Sequence, residues 1–169
     1  MNKHFRQAII LTGILISSAA TAATETTTID VTASVAGSCT VNSDPLTFGD
    51  VESGSETNAS GAVTVNCSNG IVYRVGMNEG QHVQNGERAM TNPGGDFILY
   101  RIFKSPENIE WGDGSIGGSF PHAIVNGTGN GLDQTLDFLG VANPSGVFPV
   151  GSFTAGTDYS DVVTVTVQF

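Results

Sequence analysis

The sequence predicts an all-β sandwich that stops one strand short and carries a spare strand near its other end. Three observations lead there. First, Val, Thr, Ile and Ser recur in short runs broken by Gly, Asn and Pro, with 22 glycines in 169 residues and almost no helical periodicity. Second, Tyr159–Phe169 (YSDVVTVTVQF) alternates Val163, Val165, Val167 and Phe169 with Val162, Thr164, Thr166 and Gln168, and it runs to the last residue with no closing hairpin. Third, Thr28–Val35 (TIDVTASV) alternates Ile29, Val31, Ala33 and Val35 with small or polar residues behind a Thr-rich leader. An unpaired apolar edge is a hazard that proteins cover, and a strand from a second molecule is one cover.

Taken in order, residues 1–22 read as a secretory signal peptide. Lys3, His4 and Arg6 make the positive start, Ala8–Ile16 the apolar stretch, and Ala20-Thr21-Ala22 the cleavage site. The apolar run is shorter than the roughly 20 residues a membrane span needs. The mature chain is therefore expected to be exported, with no membrane span, and to start near Ala23. Its 147 residues suit one domain with a real core. They hold sixteen acids against four bases (Arg74, Arg88, Arg101, Lys104), a net charge of −12. Such a polyanion repels nucleic acid and anionic lipid surfaces alike.

The candidate strands are Cys39–Phe48, Ala62–Cys67, Ile71–Met77, Phe97–Lys104, Ala123–Asn126, Leu132–Leu139, Val147–Thr154 and Tyr159–Phe169. Ser68-Asn69-Gly70 reads as a hairpin turn, which would make Ala62–Cys67 and Ile71–Met77 antiparallel neighbours. Phe97–Lys104 (FILYRIFK) is apolar on both faces and suits a central strand. Glu79–Gly95 and Gly112–Gly118 read as surface loops. Gly127–Gly131 (GTGNG) reads as a flexible loop rather than a phosphate cradle, since no strand–helix context follows it.

Cys39 and Cys67 are the only cysteines. An even count in an exported chain favours one disulfide over two free thiols. Closing that loop contributes roughly 3–4 kcal/mol in the chain-entropy picture. Two cysteines make no structural zinc site without histidine help, and His82 and His122 are isolated in sequence. No nucleophile elbow, H-E-x-x-H motif or compact Ser/His/Asp set is present, so neither catalysis nor a cofactor or metal is expected. Trp111 beside Asp113 could stack on a sugar, but a structural turn with a half-buried indole is the preferred reading. Tyr73, Tyr100 and Tyr159 read as core or strand-edge residues.

Several segments together carry a resemblance. They are Cys39-Thr40-Val41, Leu46-Thr47-Phe48-Gly49, Gly61–Cys67 (GAVTVNC), Arg88-Ala89-Met90, Leu99–Phe103 (LYRIF), Trp111-Gly112-Asp113-Gly114 and Tyr159-Ser160-Asp161 followed by Val163–Phe169. In this order and spacing the chain resembles the spore coat U domain family, which includes subunits of archaic chaperone–usher pili. Leu139-Gly140 stands where the family has an aromatic residue before glycine.

The resemblance implies an immunoglobulin-like β-sandwich lacking its last strand, with residues 23–36 as an N-terminal donor-strand extension and 37–169 as the sandwich domain. It implies a structural subunit of a surface fibre assembled by donor-strand exchange, serving adhesion or biofilm formation. The implied partners are a periplasmic chaperone, an outer-membrane usher and other copies or related subunits. Ile29, Val31, Ala33 and Val35 would be the donor side chains, with Asp30, Thr32 and Ser34 facing solvent. Val163, Val165, Val167 and Phe169 would form the acceptor groove wall or chaperone contact. The alternatives are a secreted lectin-like or adhesin module, and a spore or cyst coat protein. An extension on a chain with room for one domain argues for a shaft or adaptor subunit over a tip adhesin.

Overall fold

The structure, a computed structural model, describes residues 22–114, 116, 120–143 and 154–169. The signal peptide, apart from Ala22, lies outside the described residues, as does the strand expected at Val147–Thr154 apart from Thr154. The chain divides into two units, Met1–Ser34 and Val35–Phe169. The described residues of the first, 22–34, form no helix or strand, and Ile29 and Val31 are 83% and 88% exposed.

The second unit is all-β among its described residues. Its strands are β1 (Cys39–Ser43), β2 (Thr57–Cys67), β3 (Val72–Met77), β4 (Val83–Gln84), β5 (Glu87–Thr91), β6 (Phe97–Lys104), β7 (Ile109–Glu110), β8 (Val125–Thr128), β9 (Asp133–Ala142) and β10 (Val165–Gln168). One sheet has the order β1-β2-β9-β6-β5-β4, with β7 against β6, and the other the order β10-β3-β8. Every ladder is antiparallel.

Period-two alternation explains the core. On β2, Val63, Val65 and Cys67 are buried while Thr64 and Asn66 are half-exposed; on β3, Tyr73, Val75 and Met77 are buried while Val72 and Arg74 are exposed. The two rows meet between the sheets with Ile98, Tyr100, Ile102, Phe138 and Trp111. β6 is the central strand its two-faced apolar sequence predicts: it pairs with β9 on one side and β5 on the other, and Ile98, Leu99 and Tyr100 are all buried.

Two expectations are corrected. β2 and β3 are not a hairpin; they lie in different sheets. Both edges of β2 are taken, one by β1 through the Cys39–Cys67 register and disulfide, the other by a ten-pair ladder to β9. Ser68-Asn69-Gly70 therefore becomes a crossing between sheets. Ser68 N–H donates to Ser38 O (2.9 Å) and Gly70 N–H to Gly129 O (2.8 Å). Glu79–Gly95 is not wholly loop either: it contains the β4–β5 hairpin. Asn85 and Gly86 take positive φ values of 55° and 82°, the backbone that a two-residue hairpin turn needs. The Asn-Gly pair was the available signal. GTGNG begins inside β8, where a Cβ on Gly127 would lie 2.3 Å from the Tyr73 ring.

Arg88 is fully buried on β5 and ties the two sheets together. Its Nε donates to Asn78 O (2.9 Å), and its Nη2 donates to Met77 O (3.1 Å) and Trp111 O (2.8 Å). Its guanidinium also lies over the Phe120 ring, 4.3 Å from the centroid. Trp111 is wholly buried, not half-buried, and its Nε1 donates to Val75 O (3.1 Å). It offers no platform for a sugar.

We predict that Arg88→Ala, which strands two buried carbonyls and one part-buried one, lowers unfolding stability by roughly 3–4 kcal/mol, read as a drop in urea midpoint with unchanged slope. Glu110 is held above the usual carboxylate range, chiefly by burial, against the opposing pull of His122 and Arg101. Its neutral form is thus favoured by folding. That contribution is fully present below the ordinary value and is lost as pH rises through the raised one. Glu110→Gln should therefore melt higher than the native chain at neutral pH, with the gap closing in acid.

Candidate functional site: an open apolar groove

After β1 the chain leaves its sheet. Asp44 is the last residue tied to β2: its N–H donates to Ala62 O (2.9 Å), and its carboxylate accepts from Ala62 N–H (3.2 Å). The expected strand Cys39–Phe48 thus ends at Ser43. Pro45, which has no N–H to donate, follows directly. Leu46, Phe48 and Val51 then lie half-buried against the core without joining a ladder. Phe48 meets Tyr100 edge-on at 6.1 Å between centroids. A Cβ at Gly140 would come within 2.7 Å of Leu46, so the residue under this segment must be small.

Across from it runs the C-terminal segment. The expected strand Tyr159–Phe169 is regular only over Val165–Gln168, which pairs with β3. Before that, single contacts hold it. Ser160 and Thr91 exchange two backbone bonds of 3.0 Å. Asp161 Oδ1 accepts from the N–H groups of Gln81 (2.9 Å) and His82 (3.1 Å), and Asp161 Oδ2 accepts from the Tyr100 hydroxyl (2.6 Å). Asn78 Oδ1 accepts from Thr164 N–H (2.7 Å).

Between these two walls is a cleft of about 1000 Å³. Leu46, Phe48 and Val51 line one side, and Tyr159, Val163 and Val165 the other. Its floor is the core itself: Met77, Met90, Ile98, Tyr100, Ile102 and Phe138. β1 and β10 are edge strands of their sheets, in contact with each other yet sharing no ladder. The cleft therefore lies along one flank of the sandwich, with apolar side chains at its bottom and polar ones, Asp44, Asp50 and Asp158 among them, around its mouth.

Of the residues expected to form a groove wall, Val163 and Val165 line the cleft. Val167 is half-buried and packs on the core beyond it, and Phe169 is 60% exposed after β10. Val35, at the start of the second unit, is 96% exposed, and Ala33 is exposed as well. Cys39 and Cys67 are joined as expected. Sequence reasoning missed the facing wall: Leu46 and Phe48 fall inside the overlong first strand and Val51 just beyond it, and Pro45 was the signal. It also missed the Tyr100–Asp161 link.

The fold and the cleft define a β-sandwich domain with one flank open. The chain belongs to the Spore Coat Protein U domain family, whose domain matches residues 25–166. No curated protein matches it. Among solved structures it is similar to a chain of the CsuC–CsuE chaperone–tip adhesion subunit pre-assembly complex from the archaic chaperone–usher Csu pili of Acinetobacter baumannii. The similarity has 27% identity and a TM-score of 0.57, and covers 80% of this chain and 40% of that one.

The Tyr100 hydroxyl is held well above its ordinary value, first by burial and then by its hydrogen bond to the Asp161 carboxylate. Tyr100 stays neutral in the fold where the unfolded chain would ionise. Its contribution is full below about pH 10 and is lost as pH rises beyond that. Tyr100→Phe should cost roughly 1.5–3 kcal/mol at neutral pH, the worth of a hydrogen bond to a charged group. Hydrogen exchange at Ser160–Thr164 should speed up most, because that wall loses its tie to the floor.

Proposed function

We propose that this protein is a structural subunit of a surface fibre of the archaic chaperone–usher kind, polymerised by donor-strand exchange. The observation that carries the reading is the pairing, in one chain, of an open apolar cleft with an exposed alternating segment of the kind that fills one. Residues 23–36 are the donor extension and 37–169 the acceptor domain. Ile29, Val31, Ala33 and Val35 enter the cleft of another copy or a related subunit. Val163 and Val165 are wall residues there, while Val167 and Phe169 continue the edge that a partner strand would follow.

Strand geometry supports this. Alternate side chains on one strand are about 6.5–7 Å apart, so four reach successive positions along a groove. Each Ile or Val moved from water contributes roughly 1.5–3 kcal/mol, Ala less. A one-residue slip would put Asp30 against the apolar floor, so register is strict. Dissociation re-exposes both the cleft and the donor row, which makes the joint long-lived.

A periplasmic chaperone covers the cleft before assembly, and an outer-membrane usher is the place of exchange. The similarity to a complex between a chaperone and a pilus subunit supports these partners. The protein passes through the periplasm to the cell surface and acts as a structural element rather than an enzyme. Among the described residues no helix is long and apolar enough to cross a membrane.

A permuted chain tests the reading. Ala23–Ala36 is deleted and placed after Phe169 through a flexible linker. The expected product is a stable monomer with a raised melting temperature, beside a native mature chain that polymerises or aggregates when freed of its chaperone. A native chain that is already a well-behaved monomer, gaining nothing from permutation, sinks the proposal. In the native chain, Val31→Asp should abolish polymer without lowering the melting temperature, because Val31 is 88% exposed.

A further inference from the structure

The rim of the cleft has one sign of charge. Asp44, Asp50 and Asp158 are exposed on it, and Asp161 lies half-buried within it, its two oxygens engaged by Tyr100 and by backbone N–H groups. Among the described lining residues there is no Lys, Arg or His. The chain's own extension is acidic too: Ala23–Ala36 carries Glu25 and Asp30 and no base. With Ile29, Val31, Ala33 and Val35 turned into the cleft, alternation turns Asp30 away from the apolar bottom, toward the side where the rim charges stand.

We propose that the cleft selects its occupant by charge. It favours a β-strand of another protein that alternates apolar side chains with Lys or Arg, and it disfavours the extension of a second copy of this chain at low ionic strength. This rests on the reading of the cleft as a strand acceptor.

Salt at 0.1 M screens charges beyond roughly 10 Å, so rim charges act mainly on a strand seated directly between them. Like charges there slow encounter, and opposite charges speed it by tenfold or more. The net charge of −12 on each mature chain adds repulsion between copies. A basic strand is thus the fast first occupant. The acidic extension, matched in shape but not in charge, is the slow second one. The selectivity lies in the rate of entry, while the apolar row sets how long either stays.

The test uses the mature chain, held dilute enough to be monomeric, and two labelled peptides. One is Ala23–Ala36 as it stands; the other carries Glu25→Lys and Asp30→Lys. Association is followed by stopped-flow anisotropy at low and high salt. The Lys peptide should enter about tenfold faster at low salt and slow as salt rises, whereas the native peptide should speed up. In a chain carrying Asp50→Asn and Asp158→Asn, both exposed positions, the gap should narrow severalfold. Equal rates with the same salt response would overturn charge selection while leaving the acceptor cleft standing. A gap that persists undiminished in the Asn variant would also overturn it. If neither peptide binds and neither raises the melting temperature, the acceptor reading fails and the inference falls with it.

Discussion

Arg88 is the interaction on which the rest of the structure depends. A fully buried guanidinium is costly unless its donors are met; here Nε and Nη2 serve three carbonyls, while Nη1 has no hydrogen-bond partner among the described residues and the guanidinium lies on the Phe120 ring. Those carbonyls belong to the end of β3, to the residue after it and to Trp111, while Arg88 itself stands on β5 of the other sheet. Burial pulls its pKa down, and the surrounding Tyr100, Glu110, Asp161 and Asp113 oppose that. It stays charged, as arginine does in proteins. The result is a polar bolt through an apolar sandwich, which sets where the end of β3 lies relative to β5 and β6.

That bolt matters because the sandwich is open along one flank. A closed sandwich keeps its sheets together by burying both inner faces along their full length. Here Met77, Met90, Ile98 and Tyr100 line the bottom of a cleft, although Met77, Ile98 and Tyr100 themselves stay buried. A fold with such a gap must keep its walls apart and in place by other means. The Cys39–Cys67 disulfide fixes β1 against β2 on one side. On the other, Asp161 ties the C-terminal segment to Tyr100 and to the backbone at Gln81 and His82. Gly80 is required beside it, since a Cβ there would lie 2.0 Å from the Asp161 carboxylate. Polar and covalent ties thus do on the open flank what packing does elsewhere, and the apolar surface stays available for a strand.

The division of labour between the halves follows. The extension is short, apolar on alternate positions and unpaired in the single chain. The domain carries a cleft of its own. In the proposed reading each would be completed by the other from a second molecule. The charge selection proposed above would then distinguish donors that share an apolar row, which hydrophobic burial by itself does not.

The sequence by itself determined the faces of the longer strands, though not where every strand begins and ends. Period-two alternation in Val63–Cys67, Tyr73–Met77 and Val163–Val167 is a local property, and each row turned inward as its pattern required. It also marked the cysteine pair and the alternating row of Ile29, Val31, Ala33 and Val35, all of them exposed. It did not determine which strands pair. Ser68-Asn69-Gly70 suits a hairpin and a sheet crossing equally, and β2 took β1 and β9 as neighbours because the disulfide and a long ladder filled both its edges. Nor could it show that Arg88, just after the Asn85-Gly86 turn in a polar stretch, would be buried, or that Asp161 would reach Tyr100 sixty-one residues away. Those outcomes depend on groups brought together from distant parts of the chain. Only the assembled sheets decide which carbonyls a guanidinium meets and where the core is left uncovered.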